Sequence, residues 1–247
     1  MIREQEQLYS QINSLNNLPH SILLIGEQGS GKQEICEYIA LRFNLTIFDL
    51  TKFAITNEYI NIINQSTERT LYIIDSSNLT IKDQNVLLKF YEEPNEYTYI
   101  IIKSISEVGL LDTILSRSYI LKMKAFSKEY LKTLSNNDYI LSICTTPGQI
   151  EVANRTNIDV LKSLCHNLID SRDICGLLLL ANKINFSDEY DKIDLLLFIK
   201  AFEYECLIQN KLDIYLEINK LNRYIWNMNS KKQYFEHFLI NLWKLKN

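Results

Sequence analysis

Apolar positions change their spacing along this chain at about residue 126. Before it, short continuous apolar runs alternate with stretches whose apolar residues recur every three or four positions. Leu8, Ile12 and Leu15 mark a helix over 2–15, since that spacing lines one helical face. The run 21–25, Ser-Ile-Leu-Leu-Ile, has no polar alternation, as expected of a parallel strand covered on both faces. Ile35, Ile39 and Phe43 then predict a helix, 45–48 a second strand, 57–64 a helix, and 70–74 a third buried strand ending at Asp75. Thr80 starts a helix running to about Tyr91, with Asp83 three residues on as a capping-box partner, and Pro94 stops it. A strand over 97–102, a short helix over 110–115 and a last strand over 119–123 follow. Strands alternating with helices predict a three-layer α/β fold around a parallel sheet. Beyond Phe126 the strand-like runs largely vanish and helical periodicity continues to the end. The expected organisation is an α/β domain over 1–126, a small helical unit over 127–156 and a larger helical domain over 157–247.

The chemistry-bearing residues sit where strands end. Gly26-Glu27-Gln28-Gly29-Ser30-Gly31-Lys32 follows the first strand and opens a helix. This GxxxxGK spacing in a strand–loop–helix context is a phosphate-binding loop. Glycines let the backbone curl around an anion, helix N–H groups point at it, and a lysine supplies a point charge. Gly26, Gly29, Ser30, Gly31, Lys32 and Gln33 are thus candidate contacts to ATP or ADP. Gln33 stands where a Ser or Thr ordinarily ligates Mg²⁺, and its reach is wrong for that role, which weakens the case for a metal. Leu71-Tyr72-Ile73-Ile74-Asp75 has the form of a Walker B strand, with Asp75 at the sheet's C-terminal edge. The next residue is Ser76, which cannot act as a base at neutral pH. Positioned base catalysis contributes about 10²–10⁴-fold, so Gln33 and Ser76 both predict a degenerate site without ATPase chemistry of its own.

Three further segments carry a resemblance. Leu87-Leu88-Lys89-Phe90-Tyr91-Glu92-Glu93-Pro94 is similar to the LLKxxEEP segment of DNA-replication clamp-loader subunits. Thr113-Ile114-Leu115-Ser116-Arg117-Ser118 is similar to their T-x-x-S-R-C box, and Pro19-His20-Ser21 to the lead into their phosphate loop. In order and spacing the chain resembles the AAA+ clamp-loader subunits of delta-prime type from about 18 to 126. That resemblance implies that Arg117 is an arginine finger acting on a neighbouring subunit's nucleotide, with Ser118 replacing the family's cysteine. It places the sensor 1 position near Ser104 and sensor 2 in Thr146-Pro147-Gly148-Gln149, where Gln149 brings no charge. It also implies a helical lid over 127–156, a C-terminal collar for hetero-oligomerisation, and other clamp-loader subunits, a sliding clamp and primer-template DNA as partners. The four-cysteine zinc insert of several bacterial relatives is absent between 44 and 70.

Composition adjusts this picture little. The 247 residues are 47% hydrophobic with a net charge of −4, ordinary for a globular protein and unlike one coated in nucleic acid. From Lys220 onward, six basic residues (Lys220, Arg223, Lys231, Lys232, Lys244, Lys246) stand against Glu236 alone; they form either a solvated face or a phosphate-facing surface. Trp226, Trp243 and the tyrosines there are expected in the core. The longest apolar run, 195–199, is too short to span a bilayer, and the polar N-terminus is unlike a signal peptide. Cys36, Cys144, Cys165, Cys175 and Cys206 are dispersed, predicting reduced thiols, no zinc site and a cytoplasmic setting. Cys165-His166 is the one close pair, expected as core. Usage rich in Asn, Ile, Lys and Tyr points to an AT-rich genome, viral or mobile. Two rival functions remain: an active P-loop ATPase such as a helicase loader, favoured by Lys32 and Asp75, and a nucleotide-independent scaffold or DNA-binding module using the basic C-terminus.

Overall fold

A computed structural model of the chain describes residues 2–51, 53, 55–170, 194–222 and 231–246; Cys175, Arg223 and Trp226 lie outside the described residues. The chain divides into two compact units, Met1–Phe126 and Ser127–Asn247.

In the first unit five parallel strands form one sheet in the order β2-β3-β4-β1-β5: β1 (Ser21–Ile25), β2 (Thr46–Asp49), β3 (Thr70–Asp75), β4 (Thr98–Ser104) and β5 (Tyr119–Lys122). Helices α1 (Glu6–Ser14), α2 (Lys32–Phe43), α3 (Asn57–Asn64), α4 (Ile81–Glu92) and α5 (Asp112–Leu115) flank it. The three central strands are apolar through their middles because both faces are covered. Strand parity sorts each strand's residues between two cores. Leu71, Ile73, Tyr99 and Ile101 pack with Ile35, Cys36 and Ile39 of α2 and with α1. Tyr72, Ile74, Ile100 and Ile102 pack with Ile60 and Ile63 of α3 and with Leu87 and Phe90 of α4. Each such side chain, fully buried, contributes about 1.5–3 kcal/mol.

Local signals account for the helix ends. Thr80 Oγ1 accepts from the Asp83 N–H at 3.2 Å while Asp83 Oδ2 accepts from the Thr80 N–H at 2.9 Å, so the capping box forms. The first helix starts at Glu6 rather than residue 2. Gln5, which is 1% exposed, is bound instead through its amide to both the N–H and the C=O of Lys124, each at 2.9 Å; this clip fixes the N-terminal segment beside the end of β5. Strand β4 runs two residues past the expected end, because Lys103 and Ser104 find partners in Asp75 of β3 and Ile25 of β1.

The second unit contains only helices among its described elements: α6 (Lys128–Lys132), α7 (Asp138–Ile143), α8 (Pro147–Arg155), α9 (Ile158–Asp170), α10 (Leu195–Ile208), α11 (Leu212–Asn222) and α12 (Lys231–Lys246). Aromatic rings of α10 and α12 interlock edge to face, Phe202 on Phe238 at 4.9 Å and Phe198 on Phe235 at 5.1 Å, a geometry that adds to their burial. Among the described residues no helix is long and apolar enough to cross a membrane.

Candidate nucleotide site and the arginine corner

The loop between β1 and α2 has the backbone its glycines permit. Gly29 and Gly31 adopt φ of +79° and +93°, the left-handed region that a Cβ disfavours. At Gly26 the constraint is space: a Cβ there would lie 2.8 Å from Ser30 Oγ and 3.0 Å from Met123 Sδ. Gly31 is the N-cap of α2 and its carbonyl accepts from Ile35, leaving the first N–H groups of α2 to whatever occupies the loop. Lys32 Nζ reaches back to donate to the Gly26 and Glu27 carbonyls at 2.6 and 2.9 Å. Burial holds its pKa below the ordinary lysine value; Asp75 opposes that shift and Lys103 reinforces it. A phosphate would relieve both effects. Ser30, by contrast, is buried and donates to Met123 Sδ at 3.2 Å.

Around the loop, the carboxyl edge of the sheet supplies the remaining groups. Asp75 Oδ1 accepts from Ser77 twice, from its N–H at 3.0 Å and its hydroxyl at 2.7 Å, capping a short 3₁₀ turn over Ser76–Asn78. Ser76 Oγ donates to Ser104 Oγ at 2.8 Å, and Ser104 Oγ donates to the Ser106 carbonyl at 2.6 Å. The two hydroxyls are thus joined to each other, and Ser104 is buried. The residue that the sequence reading missed is Lys103. Parity along β4 sets it with Tyr99 and Ile101 on the α2 side, and its Nζ donates to Gln33 Oε1 at 3.2 Å. Gln33 Nε2 in turn lies 3.4 Å from Glu37 Oε1. Beneath this group, burial pushes the Cys36 thiol up to about 12 despite the two lysines. Lys103 escaped notice because β4 is apolar on both faces, so no alternation marks which way the residues after Ile102 point.

The cradle's chemistry suits a nucleotide's phosphates: the glycine backbone, the N-terminus of α2 and Lys32 all belong to one loop. The donor set does not fit Mg²⁺. The side-chain oxygen at the usual ligand position, Gln33 Oε1, is held by an ammonium, and an Asp75 oxygen is held by Ser77.

At the opposite edge of the sheet lies Arg117, in the link from α5 to β5. It is exposed, and its guanidinium touches the chain at the Thr113 carbonyl, 3.4 Å away. Behind it is a polar knot. Ser118 Oγ donates to the Ile114 carbonyl at 2.8 Å and lies 3.2 Å from Ser21 Oγ at the start of β1 and 3.4 Å from the Tyr91 hydroxyl of α4. Burial raises the Tyr91 pKa, while Ser118 and Ser21 oppose that rise. Ser21 begins the strand whose end opens into the phosphate loop, so Arg117 and that loop are separated by the length of β1, roughly 13 Å at about 3.3 Å per residue.

In the second unit, Gln149 is 8% exposed and its Oε1 accepts from the Thr145 N–H at 2.9 Å and from Lys200 Nζ at 3.0 Å. It joins the N-terminus of α8, capped by Thr146, to α10.

The sequence model of the family described as DNA polymerase III, delta subunit, matches residues 46–127. No curated protein matches the chain. Among solved structures, a DNA polymerase III gamma subunit-related protein of Thermotoga maritima is similar at 17% identity with a TM-score of 0.50, covering 99% of this chain and 100% of that one. The RuvB Holliday junction branch migration motor of the same organism is similar at 14% identity and a TM-score of 0.51, covering 96% and 87%. At such identities the likeness speaks for the fold. The chain therefore has the AAA+ fold, a parallel five-stranded sheet with flanking helices followed by a helical region, and its 46–127 segment resembles the DNA polymerase III delta-subunit family.

Proposed function

We propose that the chain is a clamp-loader subunit of stator type, which binds nucleotide without hydrolysing it and lends Arg117 to a neighbouring subunit. The observation that carries this reading is the separation of the two functional edges. Arg117 is exposed at the amino edge of the sheet, a strand's length from its own phosphate loop at the carboxyl edge, so it serves a nucleotide held by another chain. At its own loop, the position after Asp75 is Ser76, whose hydroxyl is bound to Ser104 and offers no base for water. The 46–127 match to a polymerase III delta-subunit family and the fold shared with a gamma subunit-related protein support replication as the setting.

In this reading, Gly26, Gly29, Gly31 and Lys32 hold the phosphates of ATP or ADP, which would supply binding energy and order rather than chemistry. Residues 127–156 form a lid and 157–247 a collar that assembles with the other subunits. The complex acts on a sliding clamp and primer-template DNA in the cytoplasm. Viral or mobile origin accords with the composition rich in Asn, Ile, Lys and Tyr.

The test is ATP hydrolysis by the purified chain alone, and then mixed with candidate replication partners, with Arg117→Ala in parallel. Silence alone, with partner turnover that falls in Arg117→Ala while assembly persists, is the expected result. Robust turnover by the isolated chain would make it a motor subunit or helicase loader. Partner turnover indifferent to Arg117 would remove the finger.

A further inference from the structure

The arrangement at the carboxyl edge of β1, β3 and β4 goes beyond a silent site. We infer that this pocket binds the phosphates of a nucleoside di- or triphosphate without a divalent cation, the Lys103 ammonium standing where the metal would be. The inference rests on the reading of Gly26–Lys32 as a phosphate loop, and it is independent of whether Arg117 serves a neighbour.

Geometry puts the second cation there. Lys103 is opposite Asp75 on β3 and opposite Leu24 on β1, so it lies on the strand flanked by the two that carry Asp75 and the loop. Its Nζ is 3.2 Å from Gln33 Oε1, the side-chain oxygen of the residue following Lys32. A magnesium ion held by that oxygen would sit about 2.1 Å from it, sharing one acceptor with an ammonium and meeting its charge at close range. The ammonium supplies what the metal supplies electrostatically, a compact positive charge beside the β- and γ-phosphate oxygens, with N–H groups to donate. Unlike a metal it cannot polarise a bound water into a nucleophile. The three substitutions therefore make one device: Gln33 in place of a hydroxyl ligand, Ser76 in place of a base, and Lys103 in place of the metal's charge.

Two lysines side by side also concentrate positive charge within the site. Burial and Lys103 both oppose the charge of Lys32, while Asp75 and Glu27 offset part of that effect. A polyphosphate carries several negative charges and resolves the excess in one step, whereas a magnesium–nucleotide complex brings two of those charges already neutralised.

The experiment is calorimetric binding of ATP, ADP and inorganic triphosphate to the full-length protein at fixed ionic strength, once in EDTA and once in excess Mg²⁺, with unfolding midpoints recorded alongside. The expected result is binding in EDTA that is at least as tight as in Mg²⁺, and a loss of tenfold or more in EDTA for Lys103→Met, since charge-assisted hydrogen bonds are the strong ones in such a site. A double variant, Gln33→Ser with Lys103→Met, should bind only when Mg²⁺ is present, which shows that its fold and loop are intact. Binding by the unaltered protein that requires Mg²⁺ overturns the inference. So does EDTA-resistant binding that Lys103→Met leaves unchanged, and so does the absence of binding in both buffers. None of these outcomes touches the dependence of partner turnover on Arg117, which is measured separately.

Discussion

The two edges of one sheet have kept different things. At the carboxyl edge the loop, its glycines and Lys32 retain a phosphate cradle, yet the positions that would ligate a metal and activate water hold Gln33 and Ser76. At the amino edge an exposed Arg117 stands on a partly buried knot of Ser118, Ser21 and Tyr91. Hydrolysis needs several groups to be right at once, and removing the base alone slows it by about 10²–10⁴-fold. An arginine offered to a partner needs only to be exposed and held at a fixed height above a rigid base. On the function proposed above, that asymmetry lets the chain support turnover elsewhere without any of its own.

The largest effect that would break the comparison is at Arg117. Both Arg117→Ala and Arg117→Lys should lower the assembled complex's turnover by about 10³-fold or more, since a finger contributes about 10³–10⁵ and lysine lacks the planar fork. Lys32→Ala should leave the same turnover within about threefold. Steady-state hydrolysis by complexes built with each variant checks this. Equal losses at the two residues would mean that both edges are catalytic and that the asymmetry is wrong.

A smaller effect separates the cradle from an ordinary turn. Gly31 and Gly109 have nearly the same φ, +93° and +89°, but different surroundings. A Cβ at Gly109 meets nothing within 4 Å, while at Gly31 it would fall 2.5 Å from Ile2 Cδ1. Gly109→Ala should cost about 1–2 kcal/mol in unfolding free energy from backbone strain alone. Gly31→Ala should cost at least as much and also abolish phosphate binding. Denaturant unfolding with and without ATP distinguishes them, and equal retention of binding would show that the loop is not a cradle.

Most of the first unit was legible because its signals are local. The run 21–25 followed by GxxxxGK, and Thr80 three residues before Asp83, state strand, loop and cap without reference to the rest of the chain. What escaped depended on distance. Gln5 binds Lys124 across 119 positions, which no periodicity announces, and it set the true start of α1. Lys103 meets Gln33 across 70 positions, and the unbroken isoleucines before it concealed its direction. The resemblance puts the phosphate-sensing position near Ser104, and the sequence did not show that this hydroxyl is joined to Ser76 and to the Ser106 carbonyl. Gln149 showed its lack of charge in the sequence but not its bond to Lys200, which comes from another helix.

The smallest effect concerns the base under Arg117. Ser118→Ala deletes a hydroxyl that bonds the Ile114 carbonyl at 2.8 Å and sits within 3.4 Å of Ser21 Oγ and the Tyr91 hydroxyl. A hydrogen bond of this kind contributes about 0.5–1.5 kcal/mol, so the unfolding free energy should drop by about 1 kcal/mol. The partner turnover should fall with it, by far less than in Arg117→Ala, because the arginine remains but its height above the sheet loosens. Ser118→Thr, which keeps the hydroxyl, should recover most of that turnover. A full loss in Ser118→Ala without loss of stability would place Ser118 itself in contact with the neighbour's nucleotide, and the amino edge would then hold two working groups rather than one on a support.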